Sequence, residues 1–335
     1  MVAKVKEIDG TRLGSISKDI LDSQSPIVFK GLISHWPLVQ RAKESNEQAI
    51  EYLKHFCIEK PVVVYSTPPE LKGKFFYTED GTDLNFNSTK APLSYVLQEL
   101  ARLQDVEQPP SVYVGSTTVD VYLPGLSAEN NILIESPAPP LVSLWVGNGT
   151  TVAAHFDAPA NLACCAAGRR TFTVFPPDQV ANLYVGPLDK TPSGQAISMV
   201  DFDNPDFSKF PKFKEALERA FVAELEAGDA LFLPGMWWHQ VKASSSFNVL
   251  INYWMRDVPR FMGPGIEALK HAILNIRDLP PSEKKAWREL FEFYVFSDQE
   301  NKFDHIPPPA RGCLAPLNED NARQIRAWLL NRLNR

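Results

Sequence analysis

The segment AHFDAPANLACCAAGRR, residues 154–170, sets His155 and Asp157 two positions apart, and LPGMWWHQV, residues 233–241, supplies a second histidine, His239. On a β-strand, residues two apart project from one face, so an imidazole and a carboxylate in this pattern can converge on one ion. His239 becomes a third ligand if the strand that opens there lies beside the first. Two imidazoles and one carboxylate on one side of an ion leave the opposite positions open, the facial arrangement of non-haem Fe(II) oxygenases. Those open positions are the chemical point, because oxygen activation needs dioxygen and a reductant or co-substrate on the metal together. A closed four-ligand structural site offers no such room.

These residues need a scaffold of short strands, and the middle of the chain supplies one. Between Leu141 and Met255, runs such as LVSLWVG, TVAAHFD, NLACCAA, RTFTVFPP, ALFLP and FNVLINYW are punctuated by Gly, Pro and Asp. Their number and brevity predict a β-sandwich or barrel with antiparallel pairing. An insertion, VDFDNPDFSKFPKFKEALERA, interrupts them, with a helix expected in its second half. Upstream, SPIVFKGL and PVVVYS read as strands, while NEQAIEYLKHF and PLSYVLQELARL carry apolar residues at helical spacing. After Pro259 the pattern is helical, in GIEALKHAILNIRD, SEKKAWRELFEFYVF and NARQIRAWLLNRL. Proline-rich SPAPP (136–140) and the change near Pro259 divide the chain into an α+β region (1–135), a β-rich core (136–258) and a helical region (259–335). The apolar stripes of the last region can be buried either on the β-core or on a second copy of the chain.

The whole sequence bounds the partners. Its 335 residues, 44% hydrophobic and 22% charged, describe an ordinary globular protein. A formal charge of −6 gives no overall electrostatic footprint for nucleic acid, which is therefore not the expected partner. No apolar run approaches the roughly 20 residues of a membrane helix, and MVAKVKEIDG lacks the apolar stretch of a signal peptide. The cytoplasm is the expected compartment and no membrane partner is expected. Cys57, Cys164, Cys165 and Cys313 show no paired spacing and read as small buried hydrophobes.

The segments AHFDAPANLACCAAGRRTFTVFPPDQ, VDFDNPDFSKFPKF, GDALFLPGMWWHQV and VLINYW, in this order across residues 141–256, resemble the JmjC family of cupin-fold, 2-oxoglutarate-dependent oxygenases, and within it the asparaginyl hydroxylases of hypoxia-inducible factor. The resemblance implies a mainly β fold with flanking helices, its core a double-stranded β-helix (jelly-roll), and C-terminal helices that join two copies into a homodimer. It implies His155, Asp157 and His239 as Fe(II) ligands and catalytic residues. Asn161 and Asn252 match asparagines lining the co-substrate pocket, Tyr113 a tyrosine reaching the distal carboxylate of 2-oxoglutarate, and Tyr77 one nearer the substrate. The family's carboxylate-binding lysine is replaced here by Arg170, whose planar guanidinium can clamp a carboxylate bidentately but places it differently. Val152 stands where a threonine hydroxyl is expected, and Ile197 where a glutamine would hold a target amide. Aspartate as the middle ligand favours hydroxylation over demethylation.

Other residues read more simply. Arg169, of opposite parity to Arg170, is expected to be solvated. Cys164 and Cys165 should point to opposite faces. His35, His55, His271 and His305 gather no second ligand, Trp237 and Trp238 suit either a substrate wall or the core, and Asp203, Asn204 and Asp206 suit Asx turns and a helix cap better than Asp201 and Asp203 suit calcium or a second metal. The expected function is hydroxylation of a C–H bond with Fe(II) and 2-oxoglutarate, ascorbate serving as reductant in vitro. The expected substrate is a protein or peptide side chain, with a small molecule as the other possibility. The departures at Arg170 and Val152 leave open a metal-dependent cupin enzyme that does not use 2-oxoglutarate, and a non-catalytic cupin module is the third reading.

Overall fold

The computed structural model describes residues 2–192 and 194–334. The chain forms two compact units that divide between Asp257 and Val258. Eight strands build the heart of the first: β1 (Leu141–Gly147), β2 (Thr150–Phe156), β3 (Ala160–Ala167), β4 (Arg169–Phe175), β5 (Phe221–Glu226), β6 (Ala230–Leu233), β7 (Trp238–Ala243) and β8 (Asn248–Met255). They pair antiparallel in two sheets, β5-β4-β7-β2 and β6-β3-β8-β1. Successive strands thus fall in opposite sheets except β4 and β5, which pair with each other, while β3–β8 and β2–β7 make neighbours of strands distant in the chain. This is the double-stranded β-helix of a mainly β, cupin-like fold.

Residues before β1 enlarge both sheets. Ala3–Lys4 and Lys74–Phe75 run parallel to β5 and β2, while Ile27–Lys30 extends the second sheet beyond β6. Ser111–Thr118, Pro61–Thr67 and Asn87–Pro92 extend it beyond β1. The helices Pro37–Glu44, Asn46–Phe56 and Leu93–Leu103 cover the outer face of this sheet, burying Leu38, Leu53 and Leu97 against Leu144, Cys164 and Ile251. Asn46–Phe56 starts where the Ser45 side chain accepts a hydrogen bond from Gln48 N–H, the usual relief of an orphan helical donor.

Alternation along each strand separates two cores. Cys164 belongs to the outer layer under the helices, whereas Cys165 packs between the sheets with Phe172, Val174 and Leu231, as parity requires. Both thiols are fully buried, Cys57 is partly so, and Cys313 is exposed, which corrects the expectation of four buried cysteines. Trp237 sits in the intersheet core and Trp238 in a cluster with Phe175 and Phe213, so both are core residues. The insertion after β4 ends in the expected helix, Phe213–Glu218. Asp201 and Asp206 each accept a backbone N–H two residues on, as Asx turns do, but Asp203 pairs with Lys242 rather than capping that helix.

The second unit contains Gly265–Asn275, Pro281–Phe291 continuing as a π-helical turn to Phe296, and Glu319–Leu333. The last begins in a capping box between Asn318 and Asn321. Among the described residues, no helix is long and apolar enough to cross a membrane.

Candidate metal centre and its cavity

β2 and β7 bring the two histidines together directly: His155 is the cross-strand partner of His239, with ring centroids 4.4 Å apart. Asp157 lies one residue past the end of β2, where its carbonyl accepts a hydrogen bond of 2.7 Å from Met236 N–H. Its Oδ2 stands 3.8 Å from His239 Nε2. One ligand atom from each of the three residues lies within 4.8 Å of the others, and among the described residues no other His, Cys, Asp or Glu cluster could hold a metal. The remaining histidines therefore stay outside such a site.

The surroundings preset the ligands. His155 Nδ1 is 2.9 Å from Ala153 O and His239 Nδ1 is 3.0 Å from Trp237 O, so each Nδ1–H donates to a carbonyl and each Nε2 lone pair is left for a metal. Burial, reinforced by His155, pushes the His239 pKa down to about 4, which keeps this imidazole neutral and ligand-ready. Trp254 Nε1–H donates to Asp157 Oδ2 at 3.1 Å and fixes the carboxylate. Gly235 lets the LPGMWW turn close over the HFDA segment: a Cβ there would fall 2.5 Å from Ala158 O.

A β-bulge between Val152 and His155 shapes this wall. Strict alternation would put Val152 and His155 on opposite faces, but the extra residue lets both line the cavity, and Ser198 N–H bonds the bulged Ala154 carbonyl at 2.8 Å. The cavity between the sheets has a volume of about 130 Å³. It holds every residue that the sequence assigns to metal or co-substrate: His155, Asp157, His239, Tyr113, Asn161, Arg170 and Asn252. Tyr77 does not line it; buried beside Ala153 and Ile197, its hydroxyl donates to Lys190 O at 2.9 Å.

Arg170 is the telling residue. The turn before it depends on Gly168, at φ +75° and with no space for a Cβ beside Asn248. Arg169 then points outward, largely exposed and 3.7 Å from Glu226, while Arg170 points inward and is only 3% exposed. Its Nε has no hydrogen-bond partner, and burial pulls its pKa below the ordinary guanidinium value, with Tyr113 and Cys165 as the nearby groups opposing that shift. A buried cation without an anionic partner is costly, so its place at the cavity wall fits a ligand that brings a carboxylate.

Two tryptophans escaped the reading of the sequence. Trp145 donates to Asn252 Oδ1 at 2.7 Å, Asn252 Nδ2 donates to Asn161 Oδ1 at 3.3 Å, and Trp254 meets Trp145 edge-on. Tyr113 stacks on the Trp145 ring at 6.1 Å, a contact that requires Gly115, whose Cβ would come within 3.0 Å of that ring. Trp254 shares the face of Asn252 two residues away, a signal that strand parity offered.

A facial two-histidine, one-carboxylate cluster inside a double-stranded β-helix defines a metal-binding cupin-type protein. The Cupin-like domain family matches residues 14–261, and the chain belongs to this family. It is 24% identical to tRNA wybutosine-synthesizing protein 5 of Gallus gallus, over 76% of this chain and 78% of that protein. It is 28% identical to Lysine-specific demethylase 8 of Xenopus tropicalis (69% of this chain, 48% of that protein) and 27% identical to JmjC domain-containing protein D of Dictyostelium discoideum (71% and 53%). The chain thus spans most of the first relative and about half the length of the other two. These names support a JmjC-type, oxidoreductase-like enzyme at the level of the family.

Proposed function

We propose that this protein is an Fe(II)- and 2-oxoglutarate-dependent dioxygenase that hydroxylates a C–H bond. The observation that carries the reading is the unpartnered, buried Arg170 in the same cavity as the His155–Asp157–His239 cluster. The three ligands would hold Fe(II), which supplies the oxygen-activating chemistry when bound. Arg170, with Tyr113 beside it, would hold the far carboxylate of 2-oxoglutarate through charge-assisted hydrogen bonds. Asn161 and Asn252, already linked to each other, would keep the near end oriented, and the aromatic walls exclude bulk water. Residues 136–258 are the catalytic core in this reading.

The cavity size supports a substrate that reaches in from outside. Its volume has space for about ten water-sized groups, the size of 2-oxoglutarate itself. The reacting carbon is then carried by a side chain projecting from a larger molecule, and a protein or peptide is the first choice. Likeness to asparaginyl hydroxylases and Asp157 as middle ligand favour hydroxylation, but buried, apolar Ile197 cannot hydrogen-bond a target amide. The relative named for tRNA favours a second reading, an RNA substrate, against the expectation from net charge. For residues 259–335 we propose homodimerisation: neither Gly265–Asn275 nor Pro281–Phe291 buries a residue, and Leu274, Phe296 and Trp328 are exposed. A monomeric mass at micromolar concentration would refute it.

The test is succinate formation from 2-oxoglutarate with Fe(II) and ascorbate, with and without oxygen, beside Asp157→Ala. Oxygen-dependent succinate that disappears in the variant is expected. Failure of the Fe(II) protein to bind 2-oxoglutarate anaerobically would overturn the reading in favour of a cupin enzyme with another co-substrate. Peptide, RNA and metabolite panels then separate the substrate classes.

A further inference from the structure

A second cavity of about 330 Å³ lies against the other face of the β2–β7 pair and shares Phe75 and Ala153 with the first. Two polar side chains on these neighbouring strands line it, Thr151 and Gln240, each only 8% exposed. Among the described residues neither the Gln240 carboxamide nor the Thr151 hydroxyl makes a hydrogen bond to the protein, and neither is sealed off: both groups are reached from the cavity, where whatever enters it can bond them. Asn85 also lines the cavity but is already used: its Oδ1 accepts from Phe76 N–H and its Nδ2 donates to Lys74 O.

The charges around this cavity balance. Lys74 and Asp201 form an ion pair at 2.5 Å, and Glu70 and Lys72 add one charge of each sign. Glu70 and Lys72 are exposed and their charges solvated, so the counter-charge nearest the buried polar groups is the Lys74–Asp201 pair, which a ligand carrying net charge would have to break. The remaining wall is apolar, from Leu71, Phe75, Phe76 and Val200. Gln240 presents a donor and an acceptor side by side, which a primary carboxamide complements with two parallel hydrogen bonds, leaving the Thr151 hydroxyl for a third.

We propose that this cavity is a binding site for a small neutral ligand with an apolar body and a primary carboxamide head, held by Gln240 and Thr151. The site is distinct from the metal cavity but borders it, since Gln240 follows His239 on β7 and Thr151 shares β2 with His155. The assignment does not depend on the metal or on 2-oxoglutarate.

The experiment uses full-length, EDTA-treated protein labelled with ¹⁵N-glutamine, in which Gln240→Met identifies the Gln240 side-chain NH₂ signal. Isovaleramide, isovalerate and isopentylamine present one apolar body with three heads. A ligand this small is expected to bind in the millimolar range, at about 30 mM or tighter. Isovaleramide is expected to shift the Gln240 signal saturably, with the carboxylate and the amine at least about tenfold weaker because each must bury a charge. Thr151→Val should weaken the amide about fivefold by removing one neutral hydrogen bond. An immobile Gln240 signal, as when water alone fills the cavity, or an equal response to isovalerate, would overturn the proposal.

Discussion

Replacing Arg170 by methionine, which keeps an unbranched chain but removes the guanidinium, separates a ligand-binding role from a structural one. Arg170 is 3% exposed, its Nε has no protein partner, and burial already disfavours its charge. With no co-substrate, the substitution removes a buried, unpaired charge, so the metal-free variant should be as stable as the parent or more so. With 2-oxoglutarate the sign reverses. Removing one member of a buried, hydrogen-bonded charge pair costs about 2–5 kcal/mol, so affinity should fall between about 30-fold and several thousand-fold. Anaerobic calorimetric titration of the Fe(II) protein with 2-oxoglutarate reads the second effect, urea unfolding of the metal-free protein reads the first, and iron content is the control. Unchanged affinity, or affinity lost together with iron, would refute the assignment of Arg170 to the carboxylate. A variant that loses several kcal/mol of stability without ligand would show instead that the guanidinium holds the fold.

Asp157→Ala should abolish turnover and severely weaken Fe(II) binding, measured by iron content after desalting; a variant that keeps full iron would remove Asp157 from the ligand set. Trp254→Phe deletes the 3.1 Å donor to Asp157 Oδ2 while keeping most of the ring packing, so metal affinity in chelator competition should drop about 10- to 100-fold. Equal affinity would reduce the indole to packing. For His239 the folded pKa of about 4 lies below the unfolded value of about 6.5. Its contribution to metal-free stability is therefore complete above about pH 6.5 and is lost as pH falls through about 4. Urea midpoints compared with His239→Asn across this range should show a shallower acid loss in the variant, and parallel profiles would contradict the buried neutral imidazole.

Much of the site was legible in the residues alone. Period-two alternation placed Arg170 inward and Arg169 outward, and sent Cys164 and Cys165 to different layers, because a strand allows each side chain only one of two faces. The spacing of His155 and Asp157 with a distant His239 suggested a metal site, and the short, punctuated runs gave the β-architecture. The early residues were less readable: Lys74–Phe75 is too short to announce itself as a strand, yet it closes the edge beside β2 and contributes Phe75 to both cavities.

The tertiary structure decided what local pattern could not. Trp145 and Trp254 join the site because β1 and β8 are neighbours in the jelly-roll although more than a hundred residues apart, as the 107-residue separation between Trp145 and its acceptor Asn252 shows. The bulge in β2 overrides alternation at one point and turns Val152 inward beside His155. The orphaned Nε of Arg170, and the placing of Gln240 and Thr151 on a second cavity, are likewise properties of the packed molecule. Each residue's own chemistry and parity are written in the sequence, but whether a buried donor meets a partner depends on which distant strand lies across from it. Only folding determines that pairing.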